Sequence, residues 1–398
     1  MPRRGFIAAG AGLGMGGLMG VALPRAAQAA SFGATALQPS NTTPTIFNFG
    51  AVGDGVTDDS GAFSAALAYS ATNGEMILVP GLAYAIKQPI TWTSSGDVGR
   101  PWGLLCQGAT FVSSIMNGQD VIVLTSVNTV RYFQISGALK IAGSGSDGCG
   151  LHIIALSNSV YFYNATIDSL AVEGVGAHGL FLEGDVFEST IMNSYFQDCG
   201  QNGATFAQSK SGVCSAITII GCFFNQNGKY GLAATNLDGA YGGTTDVRVY
   251  GGYCRDNQSY GFYYNNGTGG GTTIEQVGFE NNCKALPVGS PGGAHVYGMV
   301  GMQMRSCTGF SSYGGATNLL AGWFSGLTYL DGCNNWSAAT PNTSVVQVNG
   351  SASGHVYMVG CSGGITAASG TACTWEAVNC TGSSPKGSLN IRGTVQSY

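Results

Sequence analysis

Charged residues are scarce in this chain of 398 residues: Asp, Glu, Lys and Arg make up 9% of it, and only 4 residues are His. The chain is also poor in the Lys, Glu and Leu that fill helical proteins, which argues against a mainly helical fold. No group of Cys and His residues has the spacing of a zinc site. What remains is 65 Gly and 44% apolar residues, and these favour a repetitive, β-rich fold with a large core.

The N-terminal segment has the pattern of an export signal. Arg3 and Arg4 are followed by a Gly- and Ala-rich, mildly apolar stretch to Leu23, and residues 27–29 are the small-residue sequence Ala-Gln-Ala that a signal peptidase cuts after. Twin arginines before Gly and Phe resemble a twin-arginine-type signal. An uncleaved membrane anchor is the alternative, which the many glycines disfavour. We therefore expect residues 1–29 to be a signal peptide.

Signal cleavage leaves residues 30–44 as a polar leader and makes the protein more acidic. The full chain has 15 basic and 20 acidic residues, and loss of three arginines leaves 12 basic residues and a formal net charge of −8. A negatively charged surface repels the phosphate backbone, so no nucleic-acid partner is predicted. We expect a periplasmic or extracellular protein with no membrane span after cleavage.

Twelve cysteines in an exported protein would ordinarily indicate disulfides, but here they are about one repeat apart rather than clustered. Several follow a short apolar strand and one small or polar residue, which predicts a column of buried, stacked thiols: Cys222, Cys307, Cys333, Cys361 and Cys380. Side chains stacked in this way point in the same direction and are poorly aimed for bridging. Few or no disulfides are therefore expected.

Residues 45–80 predict an N-terminal cap. A short strand and a Gly turn lead to one convincing helix, which Asp58 or Asp59 can cap and which Gly74 ends. One face of the helix is apolar or small at helical spacing, with Phe63, Ala66, Leu67 and Ser70. The buried strand 76–80 follows. Such a helix suits the exposed first turn of a β solenoid, which it would cover.

Beyond the cap, a glycine followed by an apolar strand recurs every 24 to 30 residues, at Gly150, Gly179, Gly203, Gly231 and Gly261. This period is too short for propeller blades and lacks the helical half of ankyrin-type repeats. An Asn recurs at one repeat position, at Asn227, Asn257 and Asn282, which predicts a ladder of side-chain amides about 4.8 Å apart. The pattern predicts one all-β, single-stranded parallel β-helix over residues 45–398.

Residues 49–63 read FGAVGDGVTDDSGAF and precede the helix and an Ile-Leu-Val-Pro strand. This opening resembles that of the pectate lyase superfamily, in particular its rhamnogalacturonase-like, epimerase-like and tailspike-like β-helices. The resemblance spans residues 45–90; the later residues are similar only in repeat rhythm. It implies a right-handed β-helix that acts on acidic or complex polysaccharide by hydrolysis, β-elimination or epimerisation.

The resemblance does not carry a catalytic set with it. Of the polygalacturonase motifs, the sole Asp-Asp here is the capping pair Asp58-Asp59, and His178 follows Ala177 instead of Gly. The epimerase motif Tyr-Gly-Phe-Asp-Pro-His is matched only by residues 260–262, without its acid or its His. A Gly turn and a helix N-terminus already account for Asp54, Asp58 and Asp59.

Candidate catalytic residues are those that line up between turns and point outward. Glu188, Ala216 and Asp246 share a column, and Arg248 should point outward beside Asp246 because Val247 and Val249 point inward. Glu188 and Asp246 would stand about 9.5 Å apart, near the upper limit for an inverting glycosidase. Alternatively, Arg248 neutralises a uronate carboxylate for a lyase, or pairs with Asp246 without further consequence.

A second set of outward residues should follow the repeat glycines. Glu183 and Asp185 are its alternative catalytic carboxylates, although acids at a strand end are often only solvated surface. His152, His178, His295 and His355 are possible bases, each isolated in sequence and more simply read as surface or ladder residues.

Tyrosines and long loops supply the candidate substrate-binding residues. Sugars stack their C–H faces on aromatic rings, and Tyr241, Tyr250 and Tyr263 are the predicted platforms, whereas Tyr253 and Tyr264 are expected in the core. Lys210 and Asp238 lie in longer loops, where binding residues gather. Calcium is common in β-helix lyases, but no clustered Asp motif supports it near Asp238 or Asp246, so no metal or cofactor is predicted.

Together these features predict an exported glycoside hydrolase or polysaccharide lyase. The alternative of a different class is a non-catalytic glycan-binding or surface-adhesion β-helix, which the missing motifs favour. The expected partner is a polysaccharide, and a monomer and a tailspike-like homotrimer both remain open.

Overall fold

A computed structural model describes residues 43–94, 96, 99–156, 159–208, 212–236, 244–265, 270–286, 294–311, 318–324, 327–337, 344–348, 354–362, 364–367, 374–378, 380 and 390–391. The described residues belong to one compact unit. The predicted signal peptide, and the leader up to residue 42, lie outside the described residues.

Parallel strands dominate the described chain. A 3-10 helix (Ile46–Phe49) and one α-helix, α1 (Ser60–Asn73), accompany the following strands: β1 (Asp54–Asp58), β2 (Met76–Val79), β3 (Ala83–Ile86), β4 (Ile90–Thr93), β5 (Trp102–Cys106), β6 (Ala109–Ser113), β7 (Ile122–Ser126), β8 (Val130–Arg131), β9 (Phe133–Ser136), β10 (Leu139–Ala142), β11 (Leu151–Ala155), β12 (Phe162–Tyr163), β13 (Thr166–Asp168), β14 (Leu170–Glu173), β15 (Leu180–Glu183), β16 (Val186–Phe187), β17 (Thr190–Met192), β18 (Tyr195–Gln197), β19 (Ala204–Gln208), β20 (Ser215–Ile220), β21 (Phe223–Asn225), β22 (Leu232–Asn236), β23 (Thr245–Tyr250), β24 (Tyr253–Arg255), β25 (Phe262–Asn265), β26 (Gly270–Glu275), β27 (Gly278–Glu280), β28 (Ala294–Arg305), β29 (Thr308–Ser311), β30 (Asn318–Phe324), β31 (Leu327–Asp331), β32 (Asn334–Ser337), β33 (Ser344–Val348), β34 (His355–Val359), β35 (Gly364–Ala367), β36 (Thr374–Val378) and β37 (Asn390–Ile391).

The strands form three parallel faces that the chain visits in turn. The first face runs from β2 and β5 through β20, β23 and β26 to β31, β34 and β36. The second face runs from β1 and β3 through β18, β21 and β24 to β32. The third face runs from β4 and β7 through β11, β15 and β19 to β35. Strand β28 continues from the third face into the first. The predicted all-β parallel β-helix with an N-terminal helix is confirmed.

The repeat glycines mark the start of the third face, as their spacing predicts. The residues that follow them pair in register from turn to turn: Leu151 with Leu180, Leu180 with Ala204, Ala204 with Leu232, and Leu232 with Phe262. A Cβ on Gly203 would lie 2.6 Å from the Gly231 carbonyl oxygen, so only glycine fits beneath the next turn. Each repeat is therefore one turn of the coil.

Helix α1 packs over the first turns as predicted. Its buried face includes Phe63, whose ring lies 5.2 Å from that of Tyr84 and 4.4 Å from that of Phe111. Gly74 ends the helix in the left-handed conformation, at φ 64°. Covering these rings removes an apolar turn from water.

The acidic residues before α1 have structural roles, and Asp58 and Asp59 bind different parts of the backbone. The Asp58 carboxylate accepts the Ser60 amide at 3.1 Å and so caps the helix. Asp59 is the N-cap residue by position, but its side chain makes no capping bond. It accepts the amides of Val52 (2.7 Å) and Gly53 (3.2 Å) instead, which fixes the Gly turn.

A ladder of buried asparagines joins the second and third faces. The Nδ2 group of Asn227 donates to Oδ1 of Asn257 at 2.9 Å, and Nδ2 of Asn257 donates to Oδ1 of Asn282 at 2.8 Å. Each amide also meets the backbone: Nδ2 of Asn257 donates to the Phe224 carbonyl at 3.0 Å, and Oδ1 accepts the Asn227 amide at 3.1 Å. The predicted ladder is confirmed, and it satisfies backbone groups that a turn would otherwise leave buried.

The predicted cysteine column follows the first-face strands. Cys307, Cys333, Cys361 and Cys380 come two residues after strands that pair in register, and Cys222 stands three turns before Cys307 at the same place, after β20. All five are thiols. The sulfur of Cys307 donates to the Ile274 carbonyl at 3.4 Å, and that of Cys333 to the Met304 carbonyl at 3.5 Å. Four of the thiols are buried and that of Cys380 is half-buried, so the column packs as small side chains with a weak donor.

Within the part of the chain that the structure describes, no helix combines the length and the apolar character needed to cross a bilayer.

Replacement of Asn257 by Ala should lower the free energy of unfolding by about 3 kcal/mol, because it leaves several buried partners of the ladder without a hydrogen bond. The matched control is Asn265→Ala at the exposed end of β25, which should cost less than about 0.5 kcal/mol. Denaturant unfolding followed by circular dichroism measures both. Equal losses in the two variants would contradict a structural role for the ladder.

Candidate functional site

An open groove of about 490 Å³ lies on the first face of the β-helix. Four successive strands, β23, β26, β28 and β31, supply its lining. The lining residues are Asp246, Arg248, Gly271, Thr272, Thr273, Met302, Gln303, Leu327 and Tyr329. Asp246 and Arg248 were both predicted as catalytic residues, and the structure places them in one groove.

The outward side chains of the groove form a row along the coil. Arg248 pairs in register with Thr273, Thr273 with Gln303, and Gln303 with Tyr329. The row continues to Tyr357, whose ring is stacked on that of Tyr329 at 5.6 Å. Neighbouring positions are about 4.8 Å apart, so the row offers donors and aromatic faces at regular intervals to an extended ligand.

Asp246 stands at a bend in the first face. Tyr132, Asn164, Glu188, Ala216, Asp246 and Gly271 occupy the same place in successive turns, and all have positive φ, between 50° and 78°. The predicted column of Glu188, Ala216 and Asp246 is therefore confirmed. Left-handed backbone at non-glycine residues is uncommon, and Asp and Asn tolerate it best. The bend directs the Asp246 side chain outward, while Val247 and Val249 are buried as predicted.

Asp246 and Arg248 form a two-point ion pair. Arg248 donates from Nε to Oδ1 of Asp246 at 2.9 Å and from Nη2 to Oδ2 at 2.5 Å. The two side chains are 35% and 45% exposed, so the pair is solvated and contributes little to stability. Both groups remain accessible to a ligand in the groove.

Glu188 is exposed on the first face, two turns before Asp246 and outside the lining of the groove. Its separation from Asp246 therefore corresponds to two turn spacings, about 9.5 Å. Of the described lining residues, only Asp246 carries a carboxylate. The described part of the groove lining therefore holds no pair of acids.

Glu183 and Asp185 lie on another face, at the end of β15 and just beyond it. Oε2 of Glu183 lies 3.2 Å from Nε2 of His152. Asp185 was predicted to point outward, and this was wrong: it is only 5% exposed. Its Oδ1 accepts the amide of Val213 at 2.8 Å, so it is covered by the chain that leads into β20. Burial raises the pKa of Asp185 despite this hydrogen bond.

The predicted aromatic platforms are divided between faces. Tyr250 lies on the first face, two residues beyond Arg248 on β23. Tyr263 lies on the third face, where its ring stacks on that of Tyr230 at 4.3 Å. Tyr264 is buried as predicted, but Tyr253 is 46% exposed, because Cys254 rather than Tyr253 is the inward residue of β24. Tyr241, Lys210 and Asp238 lie outside the described residues.

An aromatic column on the second face, exposed at Phe223 and Tyr253 and half-buried at Tyr195, was not anticipated. Tyr195, Phe223 and Tyr253 pair in register, and their ring centroids are 6.2 and 6.1 Å apart. Their recurrence was visible in the sequence. Their exposure follows from the inward residues of the same short strands, Phe196, Phe224 and Cys254.

A cluster around His152 was also missed. Nδ1 of His152 lies 2.8 Å from Oδ2 of Asp120, and its Nε2 faces Glu183. Oδ1 of Asp120 accepts the Cys149 amide at 2.6 Å. These residues come from three successive turns. Asp120 and Cys149 are 29 residues apart, the first repeat interval, so alignment of the repeats could have found this part of the cluster.

The other histidines have ordinary structural partners where the structure describes them. Nδ1 of His178 lies 3.1 Å from Oγ1 of Thr205, and burial lowers the pKa of His178 to about 4. Nδ1 of His355 lies 2.7 Å from Oγ1 of Thr374. His295 pairs with Tyr263 through the backbone.

Comparison with known proteins supports the fold. A family model described as "Right handed beta helix region" matches residues 119–308. A search of the curated proteins finds no match. These results, with the solved structures below, confirm the right-handed parallel β-helix.

Three solved structures illustrate the similarity. The mannuronan C-5 epimerase AlgE6 A-module of Azotobacter vinelandii is 16% identical, with a TM-score of 0.54 over 89% of this chain and 97% of that one. The Agl-KA catalytic domain is 13% identical, with a TM-score of 0.58 over 90% and 69%. Tailspike protein 2 of Escherichia coli O157:H7 bacteriophage CAB120 is 14% identical, with a TM-score of 0.57 over 81% and 43%.

Asp185→Asn should change how stability depends on pH. A carboxyl with a raised pKa in the folded protein favours folding when protonated, and this contribution is lost as the pH rises from the ordinary value of 3.8 through the folded value. The wild type should therefore gain stability relative to Asp185→Asn as the pH falls through this window. Denaturant midpoints measured between neutral pH and pH ~4 test this. A constant difference between the two proteins would contradict it.

Proposed function

We propose that this right-handed parallel β-helix protein is an exported enzyme that binds an acidic polysaccharide along its first face and cleaves it by β-elimination. The observation that carries the proposal is the groove with Arg248 at its start. A guanidinium that is half exposed and held in a fixed orientation is suited to bind a carboxylate in two-point fashion. A uronate residue of a polysaccharide supplies such a carboxylate.

Binding of a uronate would draw Arg248 from Asp246 onto the substrate. The exchange replaces one carboxylate by another, so the charge of the guanidinium stays compensated throughout. It also neutralises the uronate, which stabilises the negative charge that develops when the neighbouring C5 proton is removed. The row of Thr273, Gln303 and Tyr329 would hold the following sugars.

Tyr250 is the group that we assign to proton removal. It lies two residues beyond Arg248 on the same strand and the same side, and so within about 7 Å along the strand. In the reaction, Tyr250 acts as the phenolate: its oxygen takes the C5 proton, and the electron pair of the C5–H bond forms the C4–C5 double bond. The C4–O glycosidic bond then breaks, and the departing oxygen takes a proton from the Tyr250 phenol, which restores the phenolate.

Hydrolysis by Glu188 and Asp246 is less well supported. An inverting hydrolase needs one protonated acid and one base across the sugar. Both oxygens of the Asp246 carboxylate accept hydrogen bonds from Arg248, so the carboxylate is engaged by the guanidinium before a substrate binds. Glu188 lies two turns from Asp246, and the resulting separation of about 9.5 Å is at the upper limit for such a pair of acids. Replacement of Glu188 nevertheless distinguishes hydrolysis from β-elimination.

Arg248→Gln should reduce kcat/KM on a uronate polysaccharide at least ~100-fold, because it removes the charge that stabilises the transition state. Tyr250→Phe should cost about 100-fold in kcat through loss of the base. The readout is the ultraviolet absorbance of the unsaturated uronate product. Glu188→Gln is the matched control and should retain activity. New reducing ends without that absorbance, together with loss of activity in Glu188→Gln, would establish hydrolysis instead.

A non-catalytic glycan-binding function is the second candidate, and the aromatic column of Tyr195, Phe223 and Tyr253 favours it. These rings form a platform on the second face, away from Asp246 and Arg248, where sugars could stack without any reacting group. This function requires neither the groove nor its ion pair.

The binding function makes an opposite prediction. Simultaneous replacement of Glu188, Asp246 and Arg248 by Ala should leave glycan affinity unchanged, whereas Phe223→Ala with Tyr253→Ala should weaken it by about 1–3 kcal/mol. Calorimetric titration with oligosaccharides of the same uronate polysaccharide measures both affinities. Loss of binding in the triple variant, with turnover in the wild type, would reject the adhesion alternative.

A further inference from the structure

We propose that Asp120, Cys149 and His152 form a zinc-binding site at the start of the third face. Each residue offers one ligand atom, and the three atoms lie within 4.8 Å of one another. Carboxylate, thiolate and imidazole form a donor set that Zn²⁺ accepts readily. The site is separate from the groove on the first face, and its ligands come from two successive turns.

The register of the coil explains why these residues meet. Ile122 pairs with Leu151, so Asp120 and Cys149, each two residues earlier, occupy the same place in neighbouring turns. His152 follows Leu151 on β11. The Cys149 amide is fixed on the Asp120 carboxylate, which positions the thiol beside it. The backbone therefore preorganises the three side chains.

The surroundings of His152 are those of a metal ligand held by a second carboxylate. Its Nδ1 faces Asp120, while Nε2 faces Glu183 of the next turn at 3.2 Å. A histidine that binds metal through one nitrogen usually donates from the other to a carboxylate, which fixes the tautomer. The imidazole is also stacked on Phe181 at 4.4 Å, with 14° between the ring planes.

Burial favours a bound ion over loose surface association. Cys149 is 5% exposed and His152 is 8% exposed, while the side chain of Asp120 retains 20%. Asp120 thus leaves one open side, where water could complete a tetrahedral site. The present separation of 2.8 Å between Asp120 and His152 would widen to about 3.3–3.8 Å around zinc, a movement of side chains only.

Charge balance supports the exchange of protons for zinc. Without metal, both nitrogens of His152 face carboxylates, so the ring carries two protons, and Cys149 keeps its thiol proton. Zn²⁺ would replace the Nδ1 proton and the thiol proton. The two positive charges of the ion then equal the two charges that the protons carry away. The net charge of Asp120, Cys149, His152 and Glu183 is unchanged, and no buried charge is left uncompensated.

Cobalt titration of the purified full chain, freed of metal with a chelator, tests the proposal. We expect one Co²⁺ per chain, a thiolate-to-cobalt charge-transfer band in the near ultraviolet, displacement by Zn²⁺, and release of protons on binding. Absence of the charge-transfer band in the folded wild type would overturn the proposal, whatever the behaviour of the variants.

Variants assign the ligands. Cys149→Ser should abolish the band and weaken binding at least tenfold, and Glu183→Gln should keep the band but weaken binding 10–100-fold. Cys222→Ser is the matched control, since this buried thiol donates to the Ile191 and Ile220 carbonyls and a hydroxyl can do the same. Circular dichroism and thermal melting establish that each variant is folded. Binding by Cys149→Ser equal to that of Cys222→Ser would reject the site.

Discussion

The in-register pairing of each turn with the next is the constraint on which every other feature depends. It fixes which side chains point inward, brings residues about 30 positions apart into contact, and lets one favourable interaction recur along the coil. The asparagine ladder shows the benefit. Because Asn257 has like neighbours above and below, one side chain satisfies both amides and the adjoining backbone. Isolated in a single turn, it would have none of these partners.

The sequence predicts the repeating parts of the fold well, since each repeat must meet the same local requirement. Gly203 lies under another chain and tolerates no side chain, and Asn227 requires an amide partner one turn away. Both requirements are therefore visible in the sequence, as a glycine and an asparagine that recur at the repeat period. The cap was predictable for a similar reason, because helical periodicity and Gly74 are local signals.

Single residues outside the repeat were harder to predict. Asp185 follows the outward pattern of β15, but the chain before β20 folds over it, which strand periodicity does not encode. Tyr253 was assigned to the core although Cys254 fills that place. The cluster at His152 depends on the offset between three turns, and an error of one residue in that offset would separate His152 from both Asp120 and Glu183. The groove residues Asp246 and Arg248 were found because Val247 and Val249 set their orientation.

The helix at the N-terminal end has a consequence for how such a coil changes its length. With Phe63 seated against Tyr84 and Phe111, the first turn is closed, and added turns cannot be placed before it without exposing these rings. Turns inserted farther along meet the same surface above and below and leave the closed end intact. Evolutionary lengthening or shortening of the protein should therefore proceed by gain or loss of interior repeats, which would extend or contract the ligand surface in steps of one turn.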